Sequence, residues 1–112
     1  MTNITPLEAL ADPTRRKLVE RLRQGPASVS QLLAVVQVSQ PAVSQHLSIL
    51  KQAQLVTVQK RGNRRIYQLN PEGLAVLRSY VEGLWDVALQ AFQREAENYN
   101  PKEVTKNDNT AS

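Results

Sequence analysis

SQPAVSQHLSILK, residues 39–51, decides the fold. Ser39 is a helix N-cap whose hydroxyl can accept a free backbone N–H of the first turn, and Pro41 sits in that turn where its missing N–H costs nothing. Val43, Leu47 and Leu50 recur at spacings of four and three, which on a helix is one face. The opposite side, Gln40, Ser44, Gln45 and Ser48, is polar and uncharged. Such a helix lies on a core with one side and offers hydrogen-bond donors and acceptors with the other.

Toward the N-terminus the start and stop signals repeat. Pro6 to Ala11 can form a short first helix with Ile4, Leu7 and Leu10 on its apolar edge. Asp12 and Pro13 open a second, buried through Leu18, Val19 and Leu22 and ended by Gly25 and Pro26. Arg15, Arg16 and Lys17 stand in its first turn, where the helix dipole disfavours cations, so they are read as a solvated face or as phosphate contacts. Ser28 and Val29 suit a very short strand. Ser30 is expected to cap a third helix, Leu32 and Leu33 on its apolar side, running to about Val36, with Gln37 and Val38 as a tight connection to the helix at Ser39.

Beyond Leu55 the period changes from helical to alternating. LVTVQK is rich in β-branched residues, RGN is a turn, and RRIYQL returns with Ile66 and Leu69 expected on one face. The tip and flanks of this hairpin carry Lys60, Arg61, Asn63, Arg64 and Arg65. Asn70 and Pro71 then start a last helix, from about Glu72 to Glu97. Its stripe of Leu74, Leu77, Val81, Leu84, Trp85, Ala88, Leu89, Phe92 and Ala96 exceeds what so small a core can cover. The order predicts a mainly α (α+β) fold: a winged helix-turn-helix with a two-stranded wing and long terminal helices, one domain over 1–97 and a disordered tail over 98–112.

Charge sharpens this picture. Between Arg21 and Pro71 there are seven basic residues, Arg21, Arg23, Lys51, Lys60, Arg61, Arg64 and Arg65, and no Asp or Glu; the other acids are three before and seven after. That window predicts a positive face suited to a polyanion. A duplex major groove admits one helix, whose amides and hydroxyls can bond base edges, while cations on a neighbouring hairpin meet the phosphates.

Several classes drop out. No cysteine occurs, which removes disulfides, thiolate metal sites and thiol nucleophiles. Glu82 and Asp86 stand four apart on the last helix, but no nucleophile–base pair or glycine-rich phosphate loop joins them, so neither an enzyme nor a cofactor is expected. No run approaches the ~20 apolar residues of a membrane span, and the first ten residues lack the pattern of a secretory signal. A cytoplasmic protein is expected.

LADPTRRKLVERL, SVSQLLAVVQVSQPAVSQHLSILKQAQLV and RGNRRIYQL together resemble the ArsR-type family of bacterial repressors, over about residues 4 to 97. The resemblance implies that the helix quoted first enters the major groove and the hairpin contacts the flanking backbone. By position it implies DNA contacts from Ser39, Gln40, Ser44, Gln45 and His46, and from Arg61, Asn63, Arg64 and Arg65; Lys51 and Lys60 extend the basic face, and His46, next to Leu47, is equally read as packing at the helix edge or holding the backbone. It also implies a homodimer built by the first and last helices through Ile4, Leu7, Leu10, Leu77, Val81, Leu84, Trp85, Ala88, Leu89 and Phe92, bound to a palindromic double-stranded operator.

Two departures stand out. Gln54 occupies a turn where such proteins usually have glycine. Metal-sensing members carry a Cys-x-Cys pair in the third helix or Asp and His ligands in the last, whereas here the third reads SQLLAVVQ and the last lacks His. The resemblance is therefore to the branch that senses no metal. The releasing signal is left open between an organic effector near Trp85, a partner protein and no effector, and a winged-helix module binding an acidic protein is the alternative function.

Overall fold

A computed structural model describes residues 3–99 of the 112-residue chain. Helices α1 (Pro6–Ala9) and α2 (Pro13–Leu22) are followed by strand β1 (Ala27–Ser28) and helices α3 (Val29–Leu33) and α4 (Gln40–Gln52). The hairpin β2 (Val56–Arg61) and β3 (Arg64–Leu69) precedes α5 (Pro71–Glu97). The chain falls into two units, residues 1–79 and 80–112.

The first unit holds the core. Leu18 of α2, Leu32 of α3, Val43, Leu47 and Leu50 of α4, and Leu55 and Val56 at the start of the wing are its largest fully buried side chains. At about 1.5–3 kcal/mol for each large aliphatic side chain removed from water, these outweigh any other local term in holding α4 to its neighbours. The helix starts are chemically definite. Thr5 and Glu8 form a reciprocal capping box on α1, Glu8 Oε1 accepting from the Thr5 amide at 2.9 Å and Thr5 Oγ1 from the Glu8 amide at 3.1 Å. Asp12 Oδ2 accepts from the Arg15 amide at 3.0 Å and Ser39 Oγ from the Ala42 amide at 3.3 Å.

α4 ends in a Schellman motif. The Leu55 amide reaches the Leu50 carbonyl at 3.0 Å and the Gln54 amide the Lys51 carbonyl at 2.9 Å, with Leu50 and Leu55 both buried beside the turn. The geometry puts Gln54 at φ 62°, the left-handed conformation expected at this position of the sequence. Asn70 secures the same corner, its amide bonding the Leu55 carbonyl at 2.9 Å and its Nδ2 the Gln54 carbonyl, also at 2.9 Å.

The three strands are antiparallel in the order β1-β3-β2, with Val58 opposite Tyr67 and Arg61 opposite Arg64. Four local expectations are corrected. α1 ends at Ala9 rather than Ala11. α3 is capped by Ser28, not Ser30, and ends at Leu33, so the connection to α4 spans 34–39 rather than two residues. Arg61 belongs to β2, leaving Gly62 and Asn63 as a two-residue turn whose positive φ falls on Gly62, at 63°. Ile66 and Leu69 do not share a face, because side chains in a strand alternate: Tyr67 is the buried residue of β3 and Leu69 lies on its side.

The second unit, from Tyr80, is helical to Glu97. The Asn98 and Tyr99 amides close the last turn onto the Arg94 and Ala96 carbonyls, so these two residues continue the helix end rather than begin a tail. The rest of the expected tail, 100–112, lies outside the described residues. No described helix is long and apolar enough to cross a membrane.

Candidate nucleic-acid interface

Packing decides which side of α4 faces outward. With Val43, Leu47 and Leu50 buried, Gln40, Ser44, Gln45, Ser48 and Lys51 are left exposed. β2 and β3 carry Lys60, Arg61, Arg64 and Arg65, all exposed, and Asn63 stands in the turn between them. Ser39 is exposed, with its hydroxyl engaged as the N-cap.

Helix and wing meet along a cleft of about 350 Å³. Gln40, Ser44, Ser48 and Lys51 line its helical side at spacings of four, four and three, and Val58, Arg65 and Tyr67 line the wing side. A second cleft brings Ser30 of α3 beside Gln40, Asn63, Arg64 and Arg65. Amide, hydroxyl, ammonium and guanidinium groups therefore converge on one surface. Within the described residues from 21 to 71 no carboxylate opposes them. Val29, Leu47, Val58 and Tyr67 form the apolar floor of the first cleft, and the polar and cationic groups along its edges suit base edges and phosphate oxygens.

Not every expected residue converges. Gln45 lines neither cleft, nor do Lys60 and Arg61. His46 is turned toward α2: its side chain is only 20% exposed, with Nδ1 3.3 Å from Arg15 Nη1 and 4.0 Å from Asp12 Oδ2. Asp12 is held below the ordinary carboxylate range, first by the Arg15 amide hydrogen bond, against a desolvation cost, with His46 and the Arg15 charge adding to the lowering. Ser30 and Ser48 belong to the surface although sequence reading gave Ser30 a capping role and left Ser48 without a contact. Their signal was spacing: Ser48 continues the Gln40–Ser44 stripe by four.

The cations that open α2 find a different use. Arg15 Nε donates to the Ala9 carbonyl at 2.7 Å and Arg16 Nη1 to the Leu10 carbonyl at 2.8 Å, so two side chains satisfy carbonyls at the end of α1.

Of the residues expected at a subunit interface, Ile4 and Leu10 are half-buried against the core and Leu7 is 50% exposed. Leu77 is half-buried, whereas Val81, Leu84, Trp85, Ala88, Leu89 and Phe92 are exposed. The exposed apolar set also includes Val76, Tyr80 and Val87, which a single stripe had left out. At 100° per residue the full set covers an arc wider than the ~100° of an ordinary core-facing helix.

A recognition helix with a polar outer side, flanked by a basic two-stranded wing, defines a winged helix-turn-helix of the DNA-reading kind. Residues 12–58 match the model of the bacterial regulatory protein family arsR. The chain is 52% identical over 85 residues to the HTH-type transcriptional regulator Rv2034 of Mycobacterium tuberculosis, covering 76% of this chain and 79% of that one. It is 36% identical over 70 residues to the transcriptional repressor SdpR of Bacillus subtilis (62% and 76%) and 41% identical over 70 to an arsenical resistance operon repressor of Staphylococcus xylosus (62% and 67%). Among solved structures, a possible transcriptional regulator for arsenical resistance superposes with a TM-score of 0.69 at 38% identity, covering 89% of this chain and 99% of that one. The chain belongs to the ArsR family and is a DNA-binding transcriptional regulator.

Proposed function

We propose that this protein is a homodimeric repressor that reads an imperfectly palindromic operator, placing α4 of each copy in a major groove and the wing on the adjoining backbone, with residues 1–97 as the working domain. The observation that carries the reading is the shared cleft, in which Gln40, Ser44 and Lys51 of α4 face Arg65 of the wing with no acidic residue between. Gln40, Ser44 and Gln45 discriminate bases. Lys51, Lys60, Arg61, Arg64 and Arg65 supply affinity that falls with salt, as released counterions demand. Asn63 and the Ser39 turn hold the register on the backbone.

The reading leaves no place for an inducing ion held by thiolates. Soft thiophilic ions are held by thiolates, and there is no cysteine in the chain, so operator release here proceeds without a thiolate-bound metal or metalloid. Catalysis is not part of the role, and the protein works in the cytoplasm, where the DNA is. The releasing signal is an organic molecule or a partner protein, if the complex is regulated at all.

Selection of bound fragments from genomic DNA followed by gel shift at two salt concentrations tests the proposal. Q40A should lose about 1–3 kcal/mol of preference at particular base pairs. R64A should weaken operator and random DNA alike and lower the salt slope by about 1. Equal losses for Q40A on operator and random DNA would count against base reading by α4, and absence of salt-sensitive association with any duplex would end the proposal.

A further inference from the structure

We infer that Arg15 is a positioning residue for operator recognition, which fixes His46 of α4 as a hydrogen-bond donor at Nε2 and ties the middle of that helix to the end of α1. The inference rests on the reading of α4 as the recognition helix. Its geometry is independent of that reading.

A guanidinium has donors and no acceptor, so Arg15 Nη1 can hydrogen-bond His46 Nδ1 at 3.3 Å only where Nδ1 carries the lone pair; Asp12 Oδ2, 4.0 Å from the same nitrogen, lies beyond hydrogen-bond reach. The neutral ring then has its proton on Nε2. The same guanidinium donates through Nε to the Ala9 carbonyl at 2.7 Å, and the Arg15 amide is held by Asp12 Oδ2 at 3.0 Å. Arg15 thus joins the C-terminal end of α1, the N-terminal turn of α2 and the middle of the groove-facing helix. His46 follows Gln45 directly and is flanked by the outward Ser44 and Ser48. A rotation of α4 that carried these residues off their base edges would have to break the contact.

Lysine could not substitute. Its ammonium is a point donor on a flexible stem, whereas the guanidinium fork spans two acceptors in a set geometry. Arg16 supplies the internal control: it bears the same charge and likewise donates to an α1-end carbonyl, Leu10 at 2.8 Å, whereas the guanidinium on His46 is that of Arg15.

His46 is the single histidine of the chain, so its ring nitrogens can be observed without assignment by mutation. Long-range nitrogen–proton NMR of the full-length protein at alkaline pH should show the Nε2–H tautomer in the wild type and in R16Q, and a mixed tautomer in R15Q and R15K. Operator affinity should fall about tenfold in R15Q and R15K, the scale of a lost hydrogen bond to a charged group, and at most about threefold in R16Q, while affinity for random duplex changes equally in R15Q and R16Q. R15K keeps the charge and guards against a variant that fails to fold. An Nδ1–H tautomer in the wild type, or equal operator losses in R15Q and R16Q, would overturn the inference while leaving the repressor reading intact. A wild type with the expected tautomer but no operator would remove the repressor reading and the recognition role of Arg15 together, leaving only a packing contact between α2 and α4.

Discussion

Gln54 and Gly73 show how much a single backbone position carries. Gln54 takes the left-handed cap of α4, and a side chain there strains against its own carbonyl by about 1 kcal/mol. Gln54→Gly should therefore raise stability by about 0.5–1 kcal/mol, a shift of a few degrees in Tm read by thermal unfolding at fixed protein concentration. Gly73 is the matching constraint. A Cβ built on it would overlap the Gln54 carbonyl, which is backbone and cannot swing aside. Gly73→Ala should cost about 3 kcal/mol or displace the start of α5, and the double variant should show coupling, since both changes act on one turn. Additive values in a double-mutant cycle would mean that the two residues do not share their strain.

Elements were legible where a cap, a proline and a periodic stripe agreed, as at Asp12-Pro13 and Ser39-Gln40-Pro41: α2 and α4 begin where those residues place them. α3 misled because Ser28 and Ser30 can both cap and only long-range pairing of Ala27 and Ser28 with Tyr67 and Ile66 chooses between them. The polar side of α4 and the basic wing were readable from spacing and charge. Whether His46 packs inward or reaches outward stayed open at the level of sequence, because its partner lies 31 positions away. Asp12 joins this contact to the stability of α2, so Asp12→Ala should cost about 1 kcal/mol as a lost N-cap and Asp12→Asn much less. Because the folded carboxyl is held below its ordinary range, its contribution is complete above the unfolded pKa and fades as pH falls through the lowered folded value. Denaturant midpoints from neutral to acid pH should converge for wild type and Asp12→Asn only at the acid end.

At the scale of the whole molecule the decisive quantity is the apolar surface left on α5, a helix of 27 residues and hence about 40 Å long at ~1.5 Å per residue. Leu84, Trp85 and Phe92 are 57%, 63% and 72% exposed, and large apolar side chains left uncovered together on one helix mark an interaction surface. In the proposed homodimer a second copy would cover this strip, because a twofold interface buries the same strip on both partners at once. Substituting Trp85→Glu leaves the core of residues 3–79 untouched, as none of its buried side chains comes from that turn. The variant should keep its helical circular dichroism yet sediment as a monomer at concentrations where the wild type is a dimer. Its affinity for a two-half-site operator should fall by about 10²–10⁴, the effective-concentration advantage of linking two readers, while affinity for an isolated half-site stays near the wild-type monomer's. A wild type that sediments as a monomer at micromolar concentration, or a Trp85→Glu variant that still binds the full operator as tightly, would require another cover for the strip.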